Sequence, residues 1–366
     1  MDKLINQVKK EILYFLNYFF FTVNTNKEVF MKKQNNLNFI IYHTLLLTLW
    51  LFLVCNNYVM RVDSKSSILL LLIPSVISII CLLFLPNKNS TSFKKNKFIS
   101  LTLSLYYIIS TAFFISLATY IIIFYFFSNM NFLMLSLLLL LMVFLFSTFN
   151  GKALYNVGLL ILIITFLLNF VFLFNTSLGE LNLIYNVINT KISLVNSLKS
   201  LCLLFIFLDP VIFYYNNIID SKISIKRNII ISIICSSLIS ILSIGINYLF
   251  YSHQYLQTLI YPAFSSIFLF LGPEFIDHFS IMILINILVF IYVKCSLNLN
   301  SISKSSSLNI FSCLLIYLLI IFMFNIFNSY TKLTFFFGII LTILILIIYM
   351  FTIFKNKRKI KWRKLN

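Results

Sequence analysis

The residue of this sequence best placed to do chemistry inside an apolar segment is Asp209, and Pro210 follows it directly. Both lie in the apolar run from Leu201 to Phe213. A carboxylate in such surroundings is costly unless it is paired, protonated or hydrated. Proline lacks an amide hydrogen, and its ring interrupts the hydrogen-bond ladder of a helix. The pattern therefore predicts a helix that is broken at Asp209 and Pro210.

Three roles for this acid are open from the sequence alone. Asp209 can cap the second half of the broken helix, with Pro210 as its first helical residue. It can bind an ammonium group or a cation, as at the midplane site of a transporter with discontinuous helices. It can also pair with a polar group on another helix.

Other candidate ligand-binding residues lie in the first long apolar run, residues 38–60. His43 is near its start, and Asn56 and Asn57 are near its end. A buried histidine in such a segment more commonly makes hydrogen bonds between helices. The adjacent asparagines are consistent either with an unwound stretch of helix or with the water interface. The candidate ligand-binding set is therefore Asp209, Pro210, His43, Asn56 and Asn57.

The composition identifies the solvent around these residues. The chain has 366 residues, of which 61% are hydrophobic and 10% are charged. Its mean hydropathy is +1.01. Soluble domains carry about 25% charged residues, so this composition predicts a protein surrounded by lipid and excludes a soluble enzyme or a nucleic-acid-binding protein. The net charge of +19 comes from residues in short loops and near the chain ends, where basic residues determine topology.

The hydropathy pattern predicts an all-α polytopic membrane protein. A helix needs roughly 20 apolar residues to cross the hydrocarbon core. Ten segments meet this length: 38–60, 67–86, 99–127, 130–149, 154–175, 200–218, 228–250, 278–299, 308–328 and 333–354. The transmembrane domain is thus predicted over 38–355, between an N-terminal tail (1–37) and a basic tail (356–366). Residues 11–24 are too few to span, and they are expected to form an interfacial helix.

The basic residues predict the orientation of these spans. If the N-terminus is cytoplasmic, alternation of ten spans assigns 23 of the 28 Lys and Arg residues to the inner side. The five on the outer side are Arg61, Lys65, Lys191, Lys199 and Lys332. This asymmetry follows the positive-inside rule and predicts that both termini are cytoplasmic.

No constellation typical of an enzyme is present in the sequence. It has no Gly-rich phosphate loop and no paired acids within a predicted span, so no enzymatic activity and no cofactor are predicted. The six cysteines form no CxxC pair, which favours packing over disulfides or metal binding. The group His253, Glu274, Asp277 and His278 also lacks the spacing of metal ligands, and we interpret it as a solvated outer loop.

Several short motifs resemble a known family. They are Leu259–Ile260–Tyr261–Pro262, Glu274–Phe275–Ile276–Asp277–His278–Phe279, Val293–Lys294–Cys295–Ser296–Leu297, Asn182–Leu183–Ile184, Phe207–Leu208–Asp209 and Phe149–Asn150–Gly151–Lys152–Ala153. In these motifs the chain is similar to the permease-like B-subunits of endospore germinant receptors, within the amino acid–polyamine–organocation transporter superfamily. The similarity covers about residues 67–300. The chain departs from the family at Leu208, where a glycine is usual, and in residues 38–60, which lack Gly and Pro.

The resemblance implies a transporter-like core of two inverted five-helix repeats with a broken sixth helix. It implies a membrane subunit that senses a small nutrient, such as an amino acid, and triggers germination. Its partners would be an A-type receptor subunit and a C-type lipoprotein, in the spore inner membrane or the cell membrane. The alternative is a secondary transporter of amino acids or other small solutes. A cell-envelope polysaccharide polymerase is a third class, and the scarcity of outward-facing arginines disfavours it.

Overall fold

The described part of the chain is helical throughout, with no strand among its residues. The computed structural model describes residues 36–84, 97–148, 151–173, 193–217, 225–263, 284–305, 309–327 and 329–363. In chain order the helices are α1 (Asn36–Trp50), α2 (Asn57–Val62), α3 (Ser67–Phe84), α4 (Lys97–Tyr125), α5 (Phe132–Ser147), α6 (Gly151–Leu173), α7 (Leu194–Ser200), α8 (Leu204–Asn217), α9 (Ile225–Phe250), α10 (His253–Thr258), α11 (284–290), α12 (Ser296–Ser305), α13 (Asn309–Ile326) and α14 (Tyr330–Arg363).

Two of the long helical segments change their winding near the middle. A first π segment, Leu51–Asn56, joins α1 to α2 without a break, and a second, Ile291–Cys295, joins α11 to α12. A short 3₁₀ turn, Leu201–Leu203, joins α7 to α8. π segments are rare inside α-helices and occur frequently at functional sites.

The helices confirm the prediction of an all-helical membrane protein. Among the described residues, six helical segments are long and apolar enough to cross a membrane, and three shorter apolar helices accompany them. Large apolar side chains cover the outside, for example Leu145, Leu242 and Phe84, which are 63–72% exposed. Serines, threonines and asparagines are buried between the helices instead. A surface of this kind is suited to lipid, where polar groups must be satisfied inside the protein.

Helix α4 occupies the centre of the bundle. It packs against α5, α12, α13 and α14, while α1 packs along α9. Helix α14 crosses the 3₁₀ turn at close range. A Cβ atom added to Gly338 would lie only 2.6 Å from the carbonyl oxygen of Cys202. In addition, α1 contacts α8, and α4 contacts the second π segment.

The sixth predicted span differs from expectation. Helix α8 runs without interruption through Asp209 and Pro210, so the prediction of a helix broken at these residues was wrong. The change of winding lies earlier, at Leu201–Leu203. The interfacial helix predicted over 11–24 lies outside the described residues. So do Glu274, Asp277 and His278 of the predicted outer loop.

Candidate functional site

The site is built around an ion pair between two membrane segments. The ammonium group of Lys294, in the second π segment, donates a hydrogen bond to Oδ2 of Asp209 in α8. Each of the two residues is only 2% exposed. Within the described residues no other salt bridge is found. Asp209 and Lys294 thus neutralise each other's charge in the interior of the bundle.

The second oxygen of the carboxylate is also satisfied. The hydroxyl of Tyr106, in α4, donates to Oδ1 of Asp209 at 2.7 Å. A buried ion pair repays its desolvation only when further hydrogen bonds satisfy the remaining polar atoms. Tyr106 meets this condition for Asp209 and adds a third membrane segment to the site.

An aromatic ring covers the ammonium group from the fourth segment. Nζ of Lys294 lies 5.0 Å from the centroid of the Trp50 ring, within the range of a cation–π interaction. Trp50 is the last residue of α1, directly before the first π segment. We call Asp209, Lys294, Tyr106 and Trp50 the Asp209 cluster.

The environment of the Asp209 cluster is aromatic and buried. The Trp50 ring packs against Phe114, Phe205 and Phe290, with centroids 4.6–5.8 Å apart. All three phenylalanines are at most 3% exposed. Charges in such low-dielectric surroundings interact more strongly than in water, so a change of charge at this point affects the whole cluster.

Two buried donors near the cluster have no hydrogen-bond partner among the described residues. They are the hydroxyl of Tyr42 and the indole N–H of Trp50. Tyr42 is fully buried in α1, within electrostatic range of Asp209. Buried polar groups in native proteins are usually paired. The two unused donors therefore give the site a capacity to bind an acceptor group.

The predicted site residue His43 belongs to the same neighbourhood. Its ring is buried against Phe39 and Tyr42, with centroid distances of 4.3 and 5.2 Å, and it interacts electrostatically with Lys294. Pro210 is buried beside Asp209 in α8. Both residues thus lie close to the charged pair, and their ligand contacts stay a prediction.

The two predicted asparagines stabilise the first π segment. Asn56 exchanges hydrogen bonds with Ser240 of α9. Asn57 accepts from the backbone N–H of Ala263 at 2.8 Å and donates to the carbonyl of Leu53 at 3.0 Å. These contacts give both residues a structural role at the π segment, and a ligand contact stays a prediction.

The hydroxyl of Tyr330 supports the same π segment from α14. It donates towards two main-chain carbonyl oxygens, at 2.8 Å from that of Val54 and 3.2 Å from that of Leu53. A π segment shifts the i→i−4 ladder and leaves carbonyls that need other donors. Tyr330 and Asn57 supply these donors, which explains how a segment without Gly or Pro leaves the α-helical winding.

Sequence reasoning missed three members of the cluster. Lys294 was assigned to the inner side with the loop residues, and that assignment was wrong, since the residue is buried in the second π segment. Tyr106 and Trp50 were not among the candidate residues. The available signal was a basic residue inside the predicted span 278–299, the counterpart of the one acid inside an apolar span.

Of the three roles left open for Asp209, the structure favours pairing with another helix. Asp209 is inside α8 and is not its N-cap. The cysteines Cys55, Cys81, Cys202, Cys235, Cys295 and Cys313 are all free. No group of metal-binding side chains occurs within the described part of the chain. Comparison of the sequence with protein-family models and with curated proteins gives no match.

Proposed function

We propose that this chain is a permease-like membrane protein that recognises a small nutrient at the Asp209 cluster, as the sensing subunit of a spore germinant receptor. The observation that supports this proposal is the convergence of four membrane segments on one buried ion pair. Intramembrane charges are costly, and where they occur they commonly mark binding sites or ion pathways.

An amino acid is the ligand class that fits the charges of the site. Its ammonium group is complementary to the Asp209 carboxylate, and its carboxylate is complementary to the Lys294 ammonium. The ligand therefore replaces the ion pair charge for charge, and no net charge is added to the membrane interior. The unused donors of Tyr42 and Trp50 provide further hydrogen bonds for the ligand carboxylate.

Sensing requires that the ligand favours one of two conformations. Opening the pair releases Lys294 and Asp209 from each other, and the segments that carry them separate or rotate. The π segments beside Trp50 and at Lys294 offer a way to absorb this movement by a change of winding. In a germinant receptor the movement would be passed to the A-type subunit and the C-type lipoprotein.

The proposed architecture has ten membrane spans, both termini at the cytoplasmic side, and a core of two inverted five-helix repeats. A helix coincides with each of the ten predicted segments in the described residues. Six of these helices reach full spanning length there. Accessibility labelling of single cysteines at the segment ends, in intact cells, tests both the count and the orientation.

Binding is the direct test of the site. The full-length protein in nanodiscs is titrated with single amino acids, and the shift in its thermal midpoint is followed. We expect a saturable shift for one class of amino acid, lost in Asp209→Asn and in Lys294→Gln. The matched control is Asp63→Asn, a carboxylate that bonds Ser66 and Asn196 outside the cluster. An unchanged dose response in both cluster variants would exclude the site.

The physiological role is tested in the source organism. Deletion of the gene should abolish germination of purified spores with one nutrient class, measured as loss of refractility, and leave other nutrients effective. Normal germination with every nutrient, or a source that forms no spores, would exclude the receptor role.

The alternative is a secondary transporter of the same solutes. It is favoured by the two π segments at the ion pair, because transport requires the site to open alternately to both sides. Saturable uptake into proteoliposomes, with competition between amino acids, distinguishes a transporter from a sensor that binds without uptake.

A further inference from the structure

The last helix is longer than a membrane crossing requires. Helix α14 runs unbroken from Tyr330 to Arg363, which is 34 residues or about 51 Å. A bilayer core requires only about 30 Å. The apolar part of α14 ends at Phe354, and from Lys355 onward the same helix carries a different kind of sequence.

That extension is strongly basic and contains no acid. Between Lys355 and Arg363 six of nine residues are basic, namely Lys355, Lys357, Arg358, Lys359, Lys361 and Arg363. Like charges four residues apart on a helix repel each other. This spacing occurs three times here: Lys355 with Lys359, Lys357 with Lys361, and Lys359 with Arg363. Anions that neutralise these side chains therefore stabilise the helix in this segment.

The distance from the bilayer indicates which anions are available. A rise of 1.5 Å per residue puts Arg363 about 12 Å beyond Lys355. The headgroup layer adds roughly 5–7 Å to each side of the core, and the Debye length at physiological salt is about 8 Å. All six basic positions thus lie within reach of headgroup charge, however the extension is tilted.

The rest of this membrane face is also suited to a headgroup layer. Phe98 at the start of α4 packs against Phe351 of α14, with ring centroids 4.8 Å apart. Both rings are at least 41% exposed, as in an aromatic belt. This contact puts Lys97, the first residue of α4, at the same membrane face as the extension. Trp362, an interfacial residue type, lies within the extension itself.

We propose that residues 355–363 of α14 form a binding surface for anionic lipid headgroups. The surface is independent of the Asp209 cluster and of any ligand bound there. Charge complementarity identifies the partner, since six basic residues among nine, with no acid, match the negative surface potential of a membrane that contains anionic lipid.

The test uses the full-length protein in two kinds of nanodisc, phosphatidylcholine alone and phosphatidylcholine mixed with phosphatidylglycerol. Acrylamide quenching of Trp362 is measured, with Trp362→Phe used to subtract the signal of Trp50. We expect quenching to be roughly twofold weaker with the anionic lipid, and the difference to vanish when added salt shortens the Debye length to about 3 Å. Amide hydrogen exchange over 355–363 should slow in the same anionic nanodiscs.

Two variants assign the effect to the extension. Replacement of its six basic residues by Gln should abolish the lipid-dependent difference. The control replaces Arg61, Lys65 and Lys332 by Gln, and should keep it. Equal quenching in both nanodiscs, or a difference that the six-Gln variant retains, would overturn the proposal. Equal protection by inorganic phosphate in phosphatidylcholine nanodiscs would identify a soluble anion and overturn it also.

Discussion

Lys294 lies over the ring of Trp50, 5.0 Å from its centroid, while its ammonium group donates to Asp209. One lysine thus joins the end of α1, the second π segment and α8. A free lysine at this depth would be costly. Its position is stable because the carboxylate neutralises it and the indole face replaces part of its hydration.

The ion pair should be more sensitive to the loss of one partner than to the loss of both. Asp209→Asn leaves Lys294 buried without its counter-charge, and Lys294→Met does the same to Asp209. Each single variant should lower the free energy of unfolding by about 3–5 kcal/mol. The double variant Asp209→Asn/Lys294→Met should be less destabilised than either, because no uncompensated charge remains.

A double-mutant cycle on the detergent-solubilised protein measures this coupling. The control is the pair Asp63→Asn and Lys332→Gln, whose effects should add, because these residues form no salt bridge with each other. Additive losses for Asp209 and Lys294 would contradict the energetic role assigned to the pair.

The hydroxyl of Tyr106 should contribute more than an ordinary buried hydroxyl. Tyr106→Phe removes a donor from a carboxylate, which costs about 1.5–3 kcal/mol. Tyr120 is on the same helix and donates to the neutral carbonyl of Phe327 at 2.8 Å. Tyr120→Phe should cost only about 0.5–1.5 kcal/mol. The thermal midpoints of the two variants test this comparison. Equal decreases would mean that the charge on Asp209 does not strengthen the hydrogen bond from Tyr106.

The acid of the cluster could be predicted from the sequence, and its partners could not. Asp209 is conspicuous because it is an acid in an apolar run. Lys294 is 85 positions away, and hydropathy does not report which spans lie side by side. A basic residue towards the end of a span also counts as a topology signal, and for this reason Lys294 was assigned to the inner side.

The winding of the helices was predictable only in part. Helix segments follow the apolar runs closely, since backbone groups in lipid must be paired within the segment. The sequence did not reveal the first π segment, because the hydroxyl of Tyr330 that supports it comes from a distant part of the chain. Pro210 gave a clear local signal for a break, and α8 continues through it because packing in the bundle outweighs that preference.

The stability of the protein should fall under mildly acidic conditions because of His253. This residue begins α10, outside the spans, and its ring contacts Tyr248 with centroids 5.4 Å apart. Partial burial and the nearby Lys65 lower the pKa of His253 from its usual 6.5, and Asp63 opposes the shift. The unfolded chain therefore binds a proton at higher pH than the folded protein does.

The sign of the effect follows from this difference. Above pH 6.5 the ring is neutral in both states and has no effect on the pH dependence. As the pH falls below 6.5 the unfolded state gains protons first, and the thermal midpoint should decrease until the folded protein is protonated as well. His253→Gln should flatten this part of the profile. A wild-type slope in His253→Gln would assign the pH dependence to other groups.

The close crossing of α14 over the 3₁₀ turn should tolerate no side chain. A Cβ atom at residue 338 would lie 2.6 Å from the carbonyl oxygen of Cys202 and 3.2 Å from its Cβ, so one backbone must move. Because overpacking of this kind costs about 1–3 kcal/mol, Gly338→Ala should lower the thermal midpoint. Gly245 in α9 has no atom within 4 Å of the corresponding position, and Gly245→Ala should be neutral or slightly stabilising, since alanine favours helix more than glycine.

The 3₁₀ turn leads directly into α8, so Gly338→Ala should also displace Asp209 and weaken amino-acid binding, whereas Gly245→Ala should not. Equal behaviour of the two alanine variants in both assays would show that this crossing does not position the ion pair.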